Sequence, residues 1–201
     1  MNPFAEAIAE IAHQGWTVMK DLLPPEAIAA LRAEAGRLWQ EEDFRAAGIG
    51  RSGGYAIRSD IRRDHIRWLN EPAPTPAQKL YWEAIEELRQ ELNRELFLSL
   101  ASFESHFAIY PPGAFYQKHL DRFSNADERV ISCTLYLNEN WQAESGGQLR
   151  LYLSDGSFEV LPEAGTCVLF RSDTFFHEVL PATETRFSLT GWFRRRSLAT
   201  I

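Results

Sequence analysis

The chain has 201 residues, 45% hydrophobic and 24% charged, an ordinary soluble balance with enough length for one substantial core. Its 28 acidic against 21 basic residues leave a formal net charge of −7, which argues against a general grip on nucleic acid and favours a protein partner with a basic face. No apolar run approaches the roughly 20 residues that span a bilayer, and the first six residues show no basic region ahead of an apolar stretch. Neither a membrane span nor a secretion signal is therefore expected, and a cytoplasmic protein is.

In chain order, Phe4, Ala7, Ile8 and Ile11 recur at helical spacing after Pro3. Residues 15–19 read as a short strand. Pro24-Pro25 opens a second helix with Ile28, Leu31, Ala35, Leu38 and Trp39 on one stripe. Four glycines in residues 48–54 make a flexible stretch that reads either as a surface loop or as a lid over a site. Thr75-Pro76 caps and opens a third helix, with Leu80, Ala84, Leu88, Leu92 and Leu96 as its apolar stripe. From about Glu104 the period changes to two. Strands are predicted over 104–110, 115–121, 130–138, 148–153, 158–161, 166–170, 175–180 and 186–194. Cys133 and Cys167 lie inside such apolar runs and read as buried, reduced thiols, in keeping with a reducing cytoplasm.

Helices first and strands later predict an α+β class, a two-sheet jelly roll or barrel with the helices backing one sheet. One domain is expected over 1–201, with helical support over about 1–100 and the β core over about 101–195. Alternation assigns faces within the strands. Ile131, Cys133, Leu135 and Leu137 should pack toward the helices, and Ser132, Thr134 and Tyr136 away from them. In the last strand Arg186, Ser188, Thr190, Trp192 and Arg194 share the second face. A polar inner lining suits a barrel that binds a charged ligand.

His119 and Asp121 stand at i and i+2 of a predicted strand and so share a face. With His177 they form a two-histidine, one-carboxylate set, which suits a non-haem Fe(II) oxygenase with open coordination positions. The same ligands with a water also suit zinc hydrolysis, but that leaves Arg186 without a task. An arginine on the inner lining needs an anion, and a ligand carboxylate meets it through a planar two-point contact, with Tyr136 as a second donor. His13, His65 and His106 have no second ligand at useful spacing and read as structural or surface residues.

These residues resemble a known family. Tyr110-Pro-Pro-Gly-Ala-Phe-Tyr-Gln-Lys-His119-Leu-Asp121, Arg129 to Asn138, Gly146-Gly147-Gln-Leu-Arg150, His177-Glu-Val and Arg186-Phe-Ser-Leu-Thr190-Gly-Trp192-Phe are similar, in order and spacing, to the Fe(II)/2-oxoglutarate-dependent prolyl 4-hydroxylases. The likeness is to bacterial relatives of the hypoxia-inducible factor prolyl hydroxylases, and it covers roughly residues 48–193. It implies a double-stranded β-helix, with iron on His119, Asp121 and His177. It implies that Arg186 and Tyr136 hold the distal carboxylate of 2-oxoglutarate and that Tyr110 and Thr190 line the same pocket. Arg62 and Asp64 match the segment that closes the family's substrate loop, and Arg129 and Trp192 match positions near the target proline. Two departures bear on the substrate entrance: a shorter segment between Tyr110 and Tyr116, and Arg63 where the animal enzymes have glycine.

The implied reaction hydroxylates C4 of a prolyl residue, with dioxygen and 2-oxoglutarate consumed and ascorbate supportive. Translation elongation factor Tu, associated with bacterial relatives, is the expected protein substrate. An oxygenase of free proline or another small metabolite, or a non-catalytic 2-oxoglutarate sensor, are the alternatives. Asp121 weighs against a halogenase, which needs that ligand position vacated.

Overall fold

The computed structural model describes residues 2–49, 56–69, 74–122 and 128–196. Most of the glycine-rich stretch, residues 50–55, lies outside them. The three helical stripes of the sequence become α1 (Ala5–Gln14), α2 (Pro25–Gln40) and α3 (Pro76–Leu96). Helix α1 stops where Gly15 takes φ 85°, a left-handed cap. Helix α3 starts where Thr75 accepts the Gln78 amide, with Pro76 at the first helical position. Its buried stripe is the predicted one in part: Leu88 and Leu92 are fully buried, and Ala84 and Leu96 pack against the core. Tyr81, Ile85, Leu88 and Leu92 face inward, while Leu80 is 44% exposed. Both stripes have helical spacing. The larger side chains take the core, and the Tyr81 hydroxyl reaches Ser105 Oγ at 3.0 Å.

The strands are β1 (Trp16–Met19), β2 (Arg45–Ala46), β3 (His65–Trp68), β4 (Leu100–Tyr110), β5 (Tyr116–His119), β6 (Arg129–Tyr136), β7 (Leu149–Leu153), β8 (Gly156–Val160), β9 (Cys167–Arg171), β10 (His177–Val179) and β11 (Arg186–Arg195). They form an antiparallel seven-stranded sheet, β1-β9-β6-β11-β4-β3-β2, and a four-stranded sheet, β5-β10-β7-β8. All eight strands predicted after residue 100 are present. The first hundred residues are more than helical support, because β1, β2 and β3 extend the large sheet at both edges. The small sheet's strands are short, so its contribution is position rather than area.

The large sheet separates two apolar clusters. On one side Ile131, Cys133, Leu135, Phe187, Leu189 and Phe193 pack with Leu31, Tyr81, Leu88 and Leu92 of the helices. On the other, Ala108, Tyr110, Tyr136, Val168 and Phe170 meet Leu149, Leu151 and Val179 of the small sheet. The predicted alternation and the helix-backed face are both present. Cys133 and Cys167 are buried free thiols, with Sγ atoms 3.7 Å apart.

Candidate active site

Between the sheets lies a cleft of about 950 Å³. Register assembles one end of it. His119 and His177 are directly paired residues of β5 and β10, two strands of the small sheet. Asp121 departs from expectation: β5 ends at His119, and Asp121 lies in the bend that follows. It reaches the histidines because the chain turns toward the large sheet, where the Ser132 hydroxyl donates to Asp121 Oδ2 at 2.6 Å. The Ser172 hydroxyl donates in turn to Ser132 Oγ at 2.9 Å. Neither serine was singled out in the sequence, although Ser132 shares the parity of Thr134 and Tyr136.

The imidazole tautomers follow from their backbone partners. His119 Nδ1 lies 2.7 Å from the Gln117 carbonyl oxygen and His177 Nδ1 lies 3.2 Å from that of Phe175. A carbonyl only accepts, so each Nδ1 carries a proton, and in the neutral ring Nε2 is the nitrogen that presents a lone pair. Those nitrogens stand 3.6 Å and 3.5 Å from the Asp121 oxygens. Burial works against ionising Asp121, but His177 and His119 in their protonated forms, with the Ser132 hydroxyl, outweigh it and hold the carboxyl well below its usual range. Burial, with His119 beside it, lowers the His177 pKa to about 4, against the pull of Asp121. Three acceptors thus converge with their ligand atoms within 4.8 Å of one another. Lone pairs facing a carboxylate repel unless a cation lies between them, so the donor set fits a divalent metal. No other group of three among the described residues does so.

The other end is built around Arg186, which is 1% exposed. Its Nε donates to the Gly147 carbonyl at 2.8 Å, and its guanidinium lies 5.0 Å and 4.9 Å from the Tyr110 and Tyr136 ring centres. Gly147 has φ 72°, and a Cβ there would meet Arg186 Cδ at 3.2 Å, so only glycine lets the backbone come this close. Among the described residues no carboxylate pairs with Arg186. The Tyr136 hydroxyl is buried without a partner. Burial pushes its pKa up to about 12, with Arg186 opposing, so it remains a neutral donor. A buried cation and a buried orphan hydroxyl together fit a ligand carboxylate. Tyr110, whose pKa burial also raises, and Thr190 line the same cleft.

The four remaining predicted residues flank the cleft. Arg62 makes a two-point ion pair with Asp64, at 2.7 Å and 2.5 Å, and lies 4.1 Å from the Tyr116 ring centre. The Asp64 side chain is wholly covered, so it fixes the Arg62 guanidinium rather than meeting solvent. Arg129 lies 3.5 Å over the Trp192 ring and donates to Glu104, which also accepts from Arg194 at 3.0 Å. His106, read from sequence as structural or surface, is not on the surface. It is not sealed in the core either, but lines the cleft at 3% exposure. Its parity with Tyr110 on β4 was the signal available for it.

Two sheets closed around a two-histidine, one-carboxylate site, with an arginine set apart to take an acid, define an oxygenase architecture. The family model of the 2OG-Fe(II) oxygenase superfamily matches residues 105–194. The crystal structure of a Pseudomonas putida prolyl-4-hydroxylase superposes with a TM-score of 0.88 at 45% identity, over 96% of this chain and 100% of that one. The hypoxia-inducible factor prolyl hydroxylase of Caenorhabditis elegans is 30% identical over 196 residues, 91% of this chain and 27% of that protein. Egl nine homolog 1 of Homo sapiens is 32% identical over 142 residues, 67% of this chain and 33% of that protein. The chain thus spans only about a quarter to a third of these two animal relatives. It belongs to the prolyl hydroxylases of the 2OG-Fe(II) oxygenase superfamily. Among the described residues no helix is long and apolar enough to cross a membrane.

Proposed function

We propose that this protein hydroxylates C4 of a prolyl residue in a protein substrate, consuming dioxygen and 2-oxoglutarate. The observation that carries this reading is one cleft with a cation-binding corner at one end and an unpaired, buried Arg186 at the other. His119 Nε2, His177 Nε2 and an Asp121 oxygen would hold Fe(II), and the Arg186 guanidinium with the Tyr136 hydroxyl would hold the distal carboxylate of 2-oxoglutarate. Bound there, Fe(II) supplies the centre at which dioxygen is consumed, one oxygen atom passing to succinate as carbon dioxide leaves and the other to the prolyl carbon.

The chain's own part is positional. Ser132 and Ser172 orient the Asp121 carboxylate, and the Gln117 and Phe175 carbonyls fix the imidazoles. Leu149, Val179, Phe170 and Ala108 line the cleft with apolar surface that excludes water. Arg129 and Trp192 would meet the substrate segment, with Arg62 held by Asp64 beside them. Elongation factor Tu is the first candidate substrate, on the likeness to bacterial relatives, and a cytoplasmic location goes with it.

The test is mass spectrometry of elongation factor Tu incubated with this protein, Fe(II), ascorbate as supporting reductant and 2-oxoglutarate, with succinate assayed alongside. A gain of one oxygen atom on a proline, lost when 2-oxoglutarate is omitted, is expected. Succinate without that gain discards this substrate; iron binding with neither signal discards the hydroxylase reading.

A further inference from the structure

His106 is the side chain in the cleft that the reading above leaves without work. It lies on β4 in register with Trp68 of β3 and Thr190 of β11. Its Nδ1 is 3.1 Å from the Phe107 carbonyl oxygen, so Nδ1 carries the proton. Burial, with Arg62 nearby, lowers its pKa to about 4 despite Asp64, so the ring is neutral at pH 7. Nε2 is then a bare acceptor, and among the described residues nothing donates to it.

A second orphan stands beside it. The Trp192 ring centre is 5.6 Å from that of His106. Trp192 is 7% exposed, and its indole N–H is buried without a partner. Trp68 closes the corner, edge-on to His106 at 5.0 Å and 47% exposed. Both side chains are more than nine-tenths buried; the indole N–H is sealed without a partner, while the unmatched His106 Nε2 keeps contact with the cleft. A sealed donor is costly to leave unmatched, so a ligand or water is expected at the indole N–H, and His106 Nε2 offers an acceptor on the same corner.

The chemistry selects the ligand. The 2-oxoglutarate dianion offers only acceptors, so Nε2 would repel it. A peptide unit offers one N–H and one C=O, the complement of His106 and Trp192. A prolyl nitrogen inside a chain carries no hydrogen, so the N–H must come from a neighbouring residue.

We propose that His106 is a specificity-determining residue that accepts a hydrogen bond from a backbone amide flanking the target proline, while the Trp192 indole donates to a carbonyl of the same segment. This rests on the prolyl-peptide reading above and adds how the flanking chain is read.

The test uses end-blocked heptapeptides with one central proline and randomised flanks. The fastest substrate is resynthesised with each flanking amide N-methylated in turn. One N-methyl position should raise the wild-type KM about tenfold with little change in kcat. His106→Phe should raise the KM of the unmodified peptide similarly, leave the KM for 2-oxoglutarate in place, and be insensitive to that N-methyl group. His106→Gln, which keeps an acceptor, should recover part of the loss. His106→Leu, which also lacks an acceptor, replaces the Phe variant in the comparison if thermal melting shows that variant unfolded. Equal N-methyl penalties in wild type and variant, or an unchanged peptide KM in His106→Phe, overturn the proposal. Hydroxylation of free proline but of no peptide overturns the prolyl-peptide reading, and this proposal falls with it.

Discussion

The two faces of the large sheet are made by the same strands and do opposite work. On the helix side, Leu135, Leu189 and Phe193 are fully buried among aliphatic and aromatic neighbours. On the opposite face the alternate residues Tyr136, Ser188, Thr190 and Trp192 carry polar atoms, of which the Tyr136 hydroxyl and the Trp192 indole N–H are buried without partners, and Thr190 and Trp192 line the cleft. The helix face holds the fold together by burial. The cleft face tolerates orphan groups because its neighbour pays for them. The comparison teaches that stability and ligand binding are divided by side-chain parity along one backbone, so they should be separable by mutation.

The division is broken most severely at the metal corner. His119→Ala or Asp121→Ala should reduce hydroxylation to background while circular dichroism and melting of the metal-free protein stay near wild type; retained turnover would reject the three-residue site. Leu135→Ala, on the other face, should cost about 2–5 kcal/mol in urea unfolding. The folded fraction should keep its affinity for 2-oxoglutarate. Arg186→Ala should weaken 2-oxoglutarate binding about 100-fold, the scale of removing one member of a buried charge pair. Calorimetry with Mn(II) in place of iron should show metal affinity little changed. If stability alone moved, Arg186 would belong functionally to the helix face.

Smaller effects sharpen the boundary. Ser132→Ala removes the hydroxyl that orients Asp121 and should weaken metal affinity about tenfold, read by competition with a chelator. A last effect is a pH dependence. His106 is held neutral with its pKa lowered from 6.5 to about 4. The unfolded chain takes up that proton below its ordinary pKa and the folded chain does not. Its contribution is therefore complete above 6.5 and is lost as pH falls toward 4. Across that window the stability of His106→Phe should fall with a slope about one proton shallower than that of the wild type, measured by urea titrations of metal-free protein.

Much of this was legible in the chain. The face assignments of β6 and β11, the three helices, the eight later strands and the grouping of His119, Asp121 and His177 with a distant Arg186 all follow from period, spacing and family likeness. The misses have physical causes. Arg45–Ala46 and His65–Trp68 are too short and mixed to show a period; His65–Trp68 becomes a strand because the β4 edge offers hydrogen bonds, and Arg45–Ala46 because the new β3 edge does. Asp121 satisfies an i, i+2 spacing yet reaches the site from a bend. In α3 the predicted stripe shares Leu88 and Leu92 with the buried one, and size and the Tyr81–Ser105 contact brought Tyr81 inward in place of Leu80.

The chain by itself determined parity, because alternation along a strand is set by the local backbone and needs no partner. It also determined the donor set, because ligand chemistry belongs to residue type. Register is different. That His119 faces His177, that Ser132 lies under Asp121, and that His106 and Trp192 leave an acceptor beside a donor depend on how distant strands slide against one another. That alignment is settled by burial summed over both sheets, a quantity no local stretch contains.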